Sequence, residues 1–559
     1  MNANSIKAAM LAALAVPVAA TAADFYYKCD GDSGTFESPA NWYIGNVVQA
    51  VCPGEEDAIC CTTGLKTVRF EAPDTTHRIA RVSLDKTSYV KDQRLFVDLN
   101  GGDLYVTDVV KMKASRYEGV VQPYLGVTNG TLHAESGVIC GEGDNNYRGA
   151  FDAFGQDTHV VIGTGNLSAN GAYSEINIGG GASARWEGKG YVNLANGQGS
   201  SYETEATIAK INVTGAGTTL ECTNGFRICN NARLRVADKA VVNISGFSTL
   251  GQYGRQNRNP VGVDDGGLSG TSGASIEVDD ATFSITNGSN VMLAESDRNP
   301  LRNHSVTVKN GGTFNYSGKT SFYLAYIASH ASGVYKPATN NCLRVYSGAR
   351  FSSDGNDAAS YNEYSDIGAI TVAGLGNCYD NGIHVSNGVV SVNRITLGVS
   401  SMSSNNWLRI EGRSARVLLN PKKAALGNMK TNPRNPALGL HRNSRVEFVL
   451  GPDGFDNTPI ELAPTASGVY GTVYGQQGEG QKAQIIVEDQ GFARNHANET
   501  ITLIKTLNAY SREFLEQLAE DAVVVAARDS HKGSFSVSED GTSLLYTAPR
   551  KLGAMLIFR

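Results

Sequence analysis

Residues Val306–Phe314 read VTVKNGGTF, and this segment is the clearest sequence indication of the fold. Apolar and polar residues alternate at its start, as in a strand with one buried face, and an Asn-Gly-Gly bend precedes the next apolar residue. Three further segments repeat the pattern: LGVTNGTL at Leu125–Leu132, LRVYSGARF at Leu343–Phe351 and IHVSNGVV at Ile383–Val390. Weaker copies begin near Val160, Ile211, Leu234, Ile276 and Leu408, and the two near Leu234 and Ile276 lack the glycine.

The copies are irregularly spaced, and polar, Asn/Ser-rich stretches fill the longer intervals. The interval from Val213 to Val236 is 23 residues, and that from Val345 to Val385 is 40. A second short apolar segment follows each copy, for example Thr396-Leu397-Gly398, so that each repeat is predicted to contain at least two short strands. This pattern is typical of a solenoid in which insertions project from a corner of the stack.

One coil of this kind cannot bury its own apolar stripe, whereas stacked coils pair every strand with its neighbours above and below. Asn-Gly bends supply the positive φ that tight corners need, and the asparagines near the repeat glycines are expected to stack into stabilising ladders inside the solenoid. We therefore predict an all-β fold, a parallel β-helix of about ten to fourteen coils and on the order of 50–65 Å in length. The alternative is a β-sandwich or propeller array, which requires steadier spacing.

The chain starts with features of an export signal. Lys7 precedes an apolar run that is too short to span a membrane, and Ala20-Thr21-Ala22 and Thr21-Ala22-Ala23 fit a small-x-small cleavage site equally well. The alternative is a short membrane anchor, against which the length of the run and Pro17 argue. We expect an extracellular or cell-surface protein with no transmembrane segment after signal removal. The net charge of −6 gives no reason to expect nucleic acid as a partner.

The pattern divides the chain into four parts. Residues 1–23 are the signal peptide, and residues 24–75, with four of the nine cysteines, form an N-terminal cap. Residues 76–430 carry the β-helix repeats. Residues 431–559 form a small C-terminal β-rich domain with one short helix, Ser511–Glu520, for which Ser511 is the candidate N-cap. We expect Ser543–Tyr546 and Ala554–Phe558 to close the chain as a hairpin.

Two regions carry a family resemblance. They resemble autotransporter passengers and PEP-CTERM-associated repeat proteins of the bacterial surface. The first is the stretch from Ile211-Asn212-Val213-Thr214-Gly215-Ala216-Gly217 to Val241-Val242-Asn243-Ile244-Ser245-Gly246. The second is the opening of the chain, with Asn41-Trp42 and Pro53-Gly54-Glu55-Glu56-Asp57-Ala58. The resemblance implies a right-handed parallel β-helix and a surface-exposed or shed structural and adhesive role. Autotransporters also carry a C-terminal membrane barrel, and residues 431–559 lack the alternating ten-residue strands of one.

The nine cysteines suggest disulfides, because export permits oxidation. Cys342 and Cys378 both lie at the start of a repeat in consecutive coils, which makes them a candidate pair, and Cys222 and Cys229 are a candidate pair within one coil. The alternative is that each is a small buried hydrophobe. No pair has the C-x2-C spacing of a zinc site, and we expect no metal or other cofactor.

We find no catalytic centre in the sequence. Asp264-Asp265 beside two glycines is an adjacent acid pair of the kind a glycosidase of this fold could use, but no Gly-His-Gly or Arg-x-Lys accompanies it. Asp144, Asp152, Asp157 and Arg148 could serve a polysaccharide lyase, yet nothing fixes their geometry. The hypotheses are a structural or adhesive surface protein, and alternatively a pectin-lyase-like carbohydrate-active enzyme (a polysaccharide lyase or glycoside hydrolase) or a glycan-binding module.

A basic segment between Arg409 and Arg445 is the strongest local charge bias in the chain. It suggests binding of an anionic glycan, since clustered cations attract acidic polymers. The alternative is that the cations face the acidic C-terminal residues. Surface glycans and other cell-surface proteins are thus the expected partners. The candidate glycan-binding residues are Arg409, Arg413, Arg416, Lys422, Lys423 and Lys430.

Overall fold

A computed structural model of the chain provides the structure. It describes residues 22–28, 33–61, 64–86, 93–115, 122–141, 147–170, 174–194, 209–228, 232–246, 248–250, 273–288, 291–295, 301–318, 321–326, 338–353, 369–375, 377–399, 402–420, 437–462, 472–475, 480–507, 509–526 and 532–550.

Three long sheets, named A, B and C, run along the molecule, and within the described ranges they contain 18, 16 and 16 strands. The strands of sheet A are β1 Asp24–Tyr27, β3 Trp42–Ile44, β4 Val47–Val48, β5 Ala58–Cys61, β8 Arg81–Lys86, β11 Val110–Ser115, β14 Gly137–Cys140, β15 Tyr147–Arg148, β18 Asn166–Ala169, β21 Val192–Leu194, β24 Phe226–Ile228, β27 Ser248–Leu250, β30 Val291–Glu295, β34 Phe322–Tyr326, β38 Ala369–Leu375, β42 Arg394–Leu397, β45 Leu438–Leu440 and β48 Val473–Tyr474.

The strands of sheet B are β2 Ser33–Thr35, β6 Gly64–Arg69, β9 Gln93–Asp98, β12 Tyr124–Thr128, β16 Ala150–Phe154, β19 Glu175–Gly179, β22 Ala209–Thr214, β25 Ala232–Ala237, β28 Ser275–Asp279, β32 Ser305–Lys309, β36 Cys342–Tyr346, β40 Gly382–Ser386, β43 Trp407–Glu411, β46 Arg445–Leu450, β49 Gln484–Asp489 and β51 Val523–Ala526.

The strands of sheet C are β7 Thr76–Ile79, β10 Asp103–Val106, β13 Gly130–Ala134, β17 Thr158–Ile162, β20 Ser183–Trp186, β23 Thr219–Cys222, β26 Val241–Ser245, β29 Thr282–Gly288, β33 Thr313–Gly318, β37 Arg350–Ser353, β41 Val389–Val392, β44 Arg416–Leu419, β47 Ile460–Leu462, β50 Thr500–Lys505, β52 Ser534–Val537 and β53 Ser543–Thr547. A short ladder joins β31 Leu301–Arg302, β35 Ala338–Thr339 and β39 Cys378–Tyr379.

The helices described are short. They are α1 Phe492–Asn495, α2 Arg512–Glu520 and two 3-10 turns, Pro39–Asn41 and Ala509–Ser511. None of the helices within the described ranges has the length and apolar character needed to cross a bilayer.

The predicted parallel β-helix is confirmed, and its coils follow the sequence pattern. In the segment Val306–Phe314, Val306 and Val308 point into the core, and each is at most 1% exposed. Asn310 takes a φ of +52° at the corner, and the chain then continues from sheet B into sheet C. Strand β32 pairs in parallel with β28 and β36, which places Val306 between Ile276 and Leu343. The right-handed sense of the coil stays a prediction.

The predicted number of coils was too low. All sixteen described strands of sheet B pair in parallel, from β2 to β51, and stacking them about 4.8 Å apart gives a length of about 70 Å. The additional coils come from residues before 75 and after 430, whose strands join the same ladders. For instance, β46 pairs with β43 in full register from Arg445 to Val449. The pairing thus runs across both predicted domain boundaries, and the division into domains itself stays a prediction.

The residues of the N-terminal motif build the first coils. Trp42 is fully buried, and its ring contacts those of Tyr27 and Phe36 at centroid distances of 5.0 and 5.2 Å. Its indole N–H donates to the carbonyl of Phe36. Asp57 accepts from the N–H groups of Gly54 and Ala23. The motif that resembles the opening of surface β-helix proteins therefore covers the end of the core.

At the other end, α2 and the antiparallel strands β52 and β53 cover the last coils. The predicted helix is confirmed as Arg512–Glu520, but Ser511 does not cap it through its side chain. Its hydroxyl instead accepts from the N–H of Val473 at 2.8 Å. Residues Ser543–Tyr546 do form a hairpin strand, with β52 as partner. The partner we predicted, Ala554–Phe558, lies outside the described residues.

A buried polar ladder runs through one corner, but the asparagines near the repeat glycines, for which we predicted ladders, do not form it, since Asn129, Asn310 and Asn387 are exposed. It consists of the residues that immediately precede four consecutive strands of sheet B: His304, Asn341, Asn381 and Asn406. The backbone N–H of His304, Asn341 and Asn381 each donates to the side-chain oxygen of the asparagine in the next coil. All four are at most 1% exposed, so the ladder satisfies backbone donors that water cannot reach.

Candidate functional site

The outer face of sheet B from β36 to β49 carries the densest network of charged and aromatic side chains that we find in the described residues. Strand alternation directs every second residue outward. The register then stacks Arg344, His384, Arg409 and Glu447 in one row across four coils. We call this region, from β36 to β49, the B-face cluster.

His384 lies at the centre of the B-face cluster. Its Nδ1 lies 2.8 Å from the hydroxyl of Tyr346, and its Nε2 lies 3.1 Å from a carboxylate oxygen of Glu411. Because a carboxylate only accepts, the Nε2 carries the proton and the Tyr346 hydroxyl donates to Nδ1. Burial lowers the pKa of His384, against the opposing effect of Glu411, which favours this neutral state. Burial also raises the pKa of Tyr346, which keeps the phenol protonated.

Arg409 joins three coils. Its guanidinium contacts Glu447 at 3.1 Å, Glu488 at 3.0 Å and Glu411 at 3.5 Å. Desolvation works against its charge, but the hydrogen bonds and charges of Glu447 and Glu488 raise the pKa of Arg409. The residue therefore fixes the positions of three carboxylates on the outer face.

The other predicted glycan-binding arginines also meet carboxylates. Arg413 contacts Asp456 at 2.7 Å, and Arg416 contacts Glu461 at 2.8 Å. All of these acids except Glu411 lie after residue 445, as the alternative interpretation of the basic segment expects. Lys422, Lys423 and Lys430 lie outside the described residues, so glycan binding by the basic segment stays a prediction.

Trp407 is the tryptophan of the B-face cluster, and it is not among the site residues predicted from the sequence. It is partly exposed, and its register partner in the preceding coil is Gly382. A Cβ at Gly382 would lie 2.2–2.6 Å from three atoms of the indole ring, so the ring lies directly on the glycine backbone. The chain has three tryptophans, and the other two, Trp42 and Trp186, are buried. Alternation with Leu408 and Ile410 would have identified Trp407 as outward-facing.

The acids considered for catalysis are only partly described. Asp152 lies on the outer face of β16, where its carboxylate accepts from the side-chain amide of Asn177 at 2.8 Å. Burial, followed by the charge of Asp152, raises the pKa of the neighbouring Tyr124. Asp157 lies in the turn before β17, whereas Asp144, Asp264 and Asp265 lie outside the described residues. The structure thus places Asp152 in a polar ladder with an amide and a phenol.

The predicted Cys342–Cys378 disulfide is not present. The ladder register sets Cys342 opposite Gly382 and Cys378 opposite Ala338, so the two cysteines occupy different strands and do not face each other. Their thiols donate to the carbonyls of Leu343 and Ala325, both at 3.5 Å. Burial raises the pKa of Cys342 to about 11 and that of Cys378 to about 12, which disfavours the thiolate.

Cys222, the described member of the second candidate pair, is buried, and its thiol lies 3.3 Å from the carbonyl of Gly225. Cys229 lies outside the described residues. Among the residues that the structure describes, no group of three or more His, Cys, Asp or Glu side chains is arranged to hold a metal ion.

The B-face cluster combines fixed hydrogen-bonding groups with one flat aromatic surface, an arrangement suited to binding. No protein family, no curated protein and no solved structure matches the chain.

Proposed function

We propose that the chain is a secreted or surface-exposed structural protein, a rod that presents adhesive faces to glycans or other surface proteins. The proposal is supported by one observation, the continuous core. A single cluster of buried apolar residues extends from Phe25 to Ala548 through every described coil. Such a core gives each coil buried contacts with both of its neighbours, so that the coils stack into one continuous rod.

The surface location is a proposal supported by the sequence features of residues 1–23 and by the resemblance to bacterial surface β-helix proteins. The same resemblance supports a right-handed coil. A rod of about 70 Å would hold its outer faces at fixed spacing along the molecule. Extended, regularly spaced surfaces of this kind suit attachment better than turnover of a small substrate.

Two measurements test the proposal. The full chain is expressed in a bacterium with a secretion pathway, and protease is added to intact cells. We expect a mature N-terminus at residue 23 or 24 and cleavage of the protein by external protease. Small-angle scattering of the purified protein should give an elongated particle. Retention of the uncleaved chain in the cytoplasm would contradict the proposed location, and a spherical particle would contradict the rod.

A further inference from the structure

The B-face cluster carries an aromatic ring on its outer face. Tryptophan offers a large amphipathic surface and is enriched where proteins bind their partners. Trp407 is partly exposed and lies against Gly382. The neighbouring coil has a glycine, Gly382, at the position where any side chain would collide with the ring. The glycine backbone therefore holds the indole ring in a defined position on the outer face.

We propose that Trp407 is a stacking platform for a pyranose ring and that the B-face cluster is a binding site for an uncharged glycan. The inference rests on the proposed function as an adhesive rod. The C–H groups on one face of a pyranose are apolar and weakly positive, and they fit the negatively polarised face of an aromatic ring. One face of Trp407 covers Gly382, and the side chain is partly exposed, so the sugar would take the part of the ring that solvent reaches.

The polar side chains around Trp407 are held in place before any ligand binds. His384 is fixed between Tyr346 and Glu411, and Arg409 is fixed by three carboxylates. Fixed donors and acceptors lose little conformational entropy when they bind hydroxyl groups. Arg445, the register partner of Trp407 in the next coil, is held by Glu447. The platform therefore has an ordered polar rim.

The charges of the rim indicate an uncharged ligand. Arg344, Arg409 and Arg445 stand against Glu411, Glu447 and Glu488, so the formal charges of these six residues cancel. A uronic acid or sulfated sugar would have to compete with these carboxylates for the arginines. A neutral hexose polymer needs only the stacking surface and the hydrogen bonds. Binding should thus depend weakly on salt, unlike capture of an acidic polymer.

The test uses the mature full chain and a panel of immobilised polysaccharides: cellulose, chitin, mannan and galactan, with polygalacturonate as the acidic arm. We expect the protein to be retained on at least one neutral polymer. Its affinity for that polymer should change less than twofold between low and high salt. Trp407→Ala should weaken that binding at least tenfold, and Trp407→Phe should restore part of it. Gly382→Ala should act like Trp407→Ala, because the new Cβ displaces the ring.

Phe154 provides the matched control. It is 59% exposed on the same sheet and lies against Gly179 and Gly180, but far from the B-face cluster. Phe154→Ala should leave glycan retention unchanged. Equal loss with Phe154→Ala, unchanged binding with Trp407→Ala, or retention on polygalacturonate alone would each overturn the site. A wild-type rod that is exported and elongated but retained by no neutral polymer would refute the site and leave the proposed function standing.

Discussion

Replacement of Asn381 by alanine tests how much the buried ladder stabilises the rod. The side-chain oxygen of Asn381 accepts from the backbone N–H and the side-chain amide of Asn341, at 3.1 and 2.8 Å. Its amide donates to the carbonyl of Ala338 at 2.9 Å. The substitution leaves these three groups without that partner at a position that is 0% exposed. The cost of each is about 1–3 kcal/mol.

We expect Asn381→Ala to lower the free energy of unfolding by about 3–5 kcal/mol. This value lies in the lower half of the summed cost of the three lost partners, because a water molecule can enter the space left by the side chain. In a stacked repeat the loss is concentrated near the substitution. Hydrogen exchange of peptides that cover β36 and β40 should therefore accelerate about a hundredfold or more. Urea unfolding provides the second measurement.

Asn243→Ala is the control for the ladder, since Asn243 is an exposed asparagine on the outer face of β26. It should change stability by less than about 0.5 kcal/mol. If Asn381→Ala costs no more than Asn243→Ala, or if exchange accelerates equally in every coil, the ladder does not carry the stability assigned to it.

Three further predictions concern other parts of the rod. Burial lowers the pKa of His304 to about 4, where its Nδ1 accepts from the N–H of Ala274, so the unfolded chain binds a proton more readily below the ordinary value of 6.5. His304 should thereby lower the stability by up to about 3 kcal/mol as pH drops from 6.5 to 4. Because burial also lowers the pKa of His441 to about 4, His304→Gln should reduce this slope in urea titrations without abolishing it. Gly137→Ala should destabilise by more than about 2 kcal/mol in thermal unfolding, because the residue has a φ of +95° and the added Cβ would lie 2.2 Å from the carbonyl oxygen of Asn166. Val525→Lys, at the exposed edge of β51 where Val525 is 52% exposed, should reduce concentration-dependent association in light scattering without loss of stability, and greater association would argue against an open edge.

Local patterning predicted the features of the fold that depend on neighbouring residues. Alternation around Val306 and the bend at Asn310 identify a strand and a corner without any knowledge of the rest of the chain. The number of coils was harder to predict from the sequence. Insertions of variable length obscure the period of the repeat, and the last coils lack the Asn-Gly signature. The hydrogen bond of Ser511 could not be predicted, since its partner, Val473, lies 38 residues away in another strand.

The site depended even more on non-local register. Sequence spacing brings Cys342 and Cys378 to equivalent-looking positions, but the ladders place the short strand of Cys378 ahead of the strand that pairs with β36. The partners of Arg409 follow it by 38 and 79 residues, so its role depends on the stacking of two later coils. The charge bias alone therefore could not separate a binding patch from an ion-paired surface.

The buried ladder and the B-face cluster are consecutive in sequence, which links stability to the proposed binding site. Asn381 immediately precedes Gly382, and Asn406 immediately precedes Trp407. The N–H of Asn381 donates to the side chain of Asn406 inside the corner, which fixes how these two coils are aligned. The indole ring must lie on a glycine in the adjacent coil. If the pairing of β43 with β40 shifted by one residue, the ring would lie against Ile383 or Asn381 instead of Gly382, and the outward row of polar residues would point into the core. The ladder thus specifies the register on which the platform depends. Asn381→Ala should accordingly weaken any glycan retention that requires Trp407, even at temperatures where the rod remains folded, whereas Asn243→Ala should not.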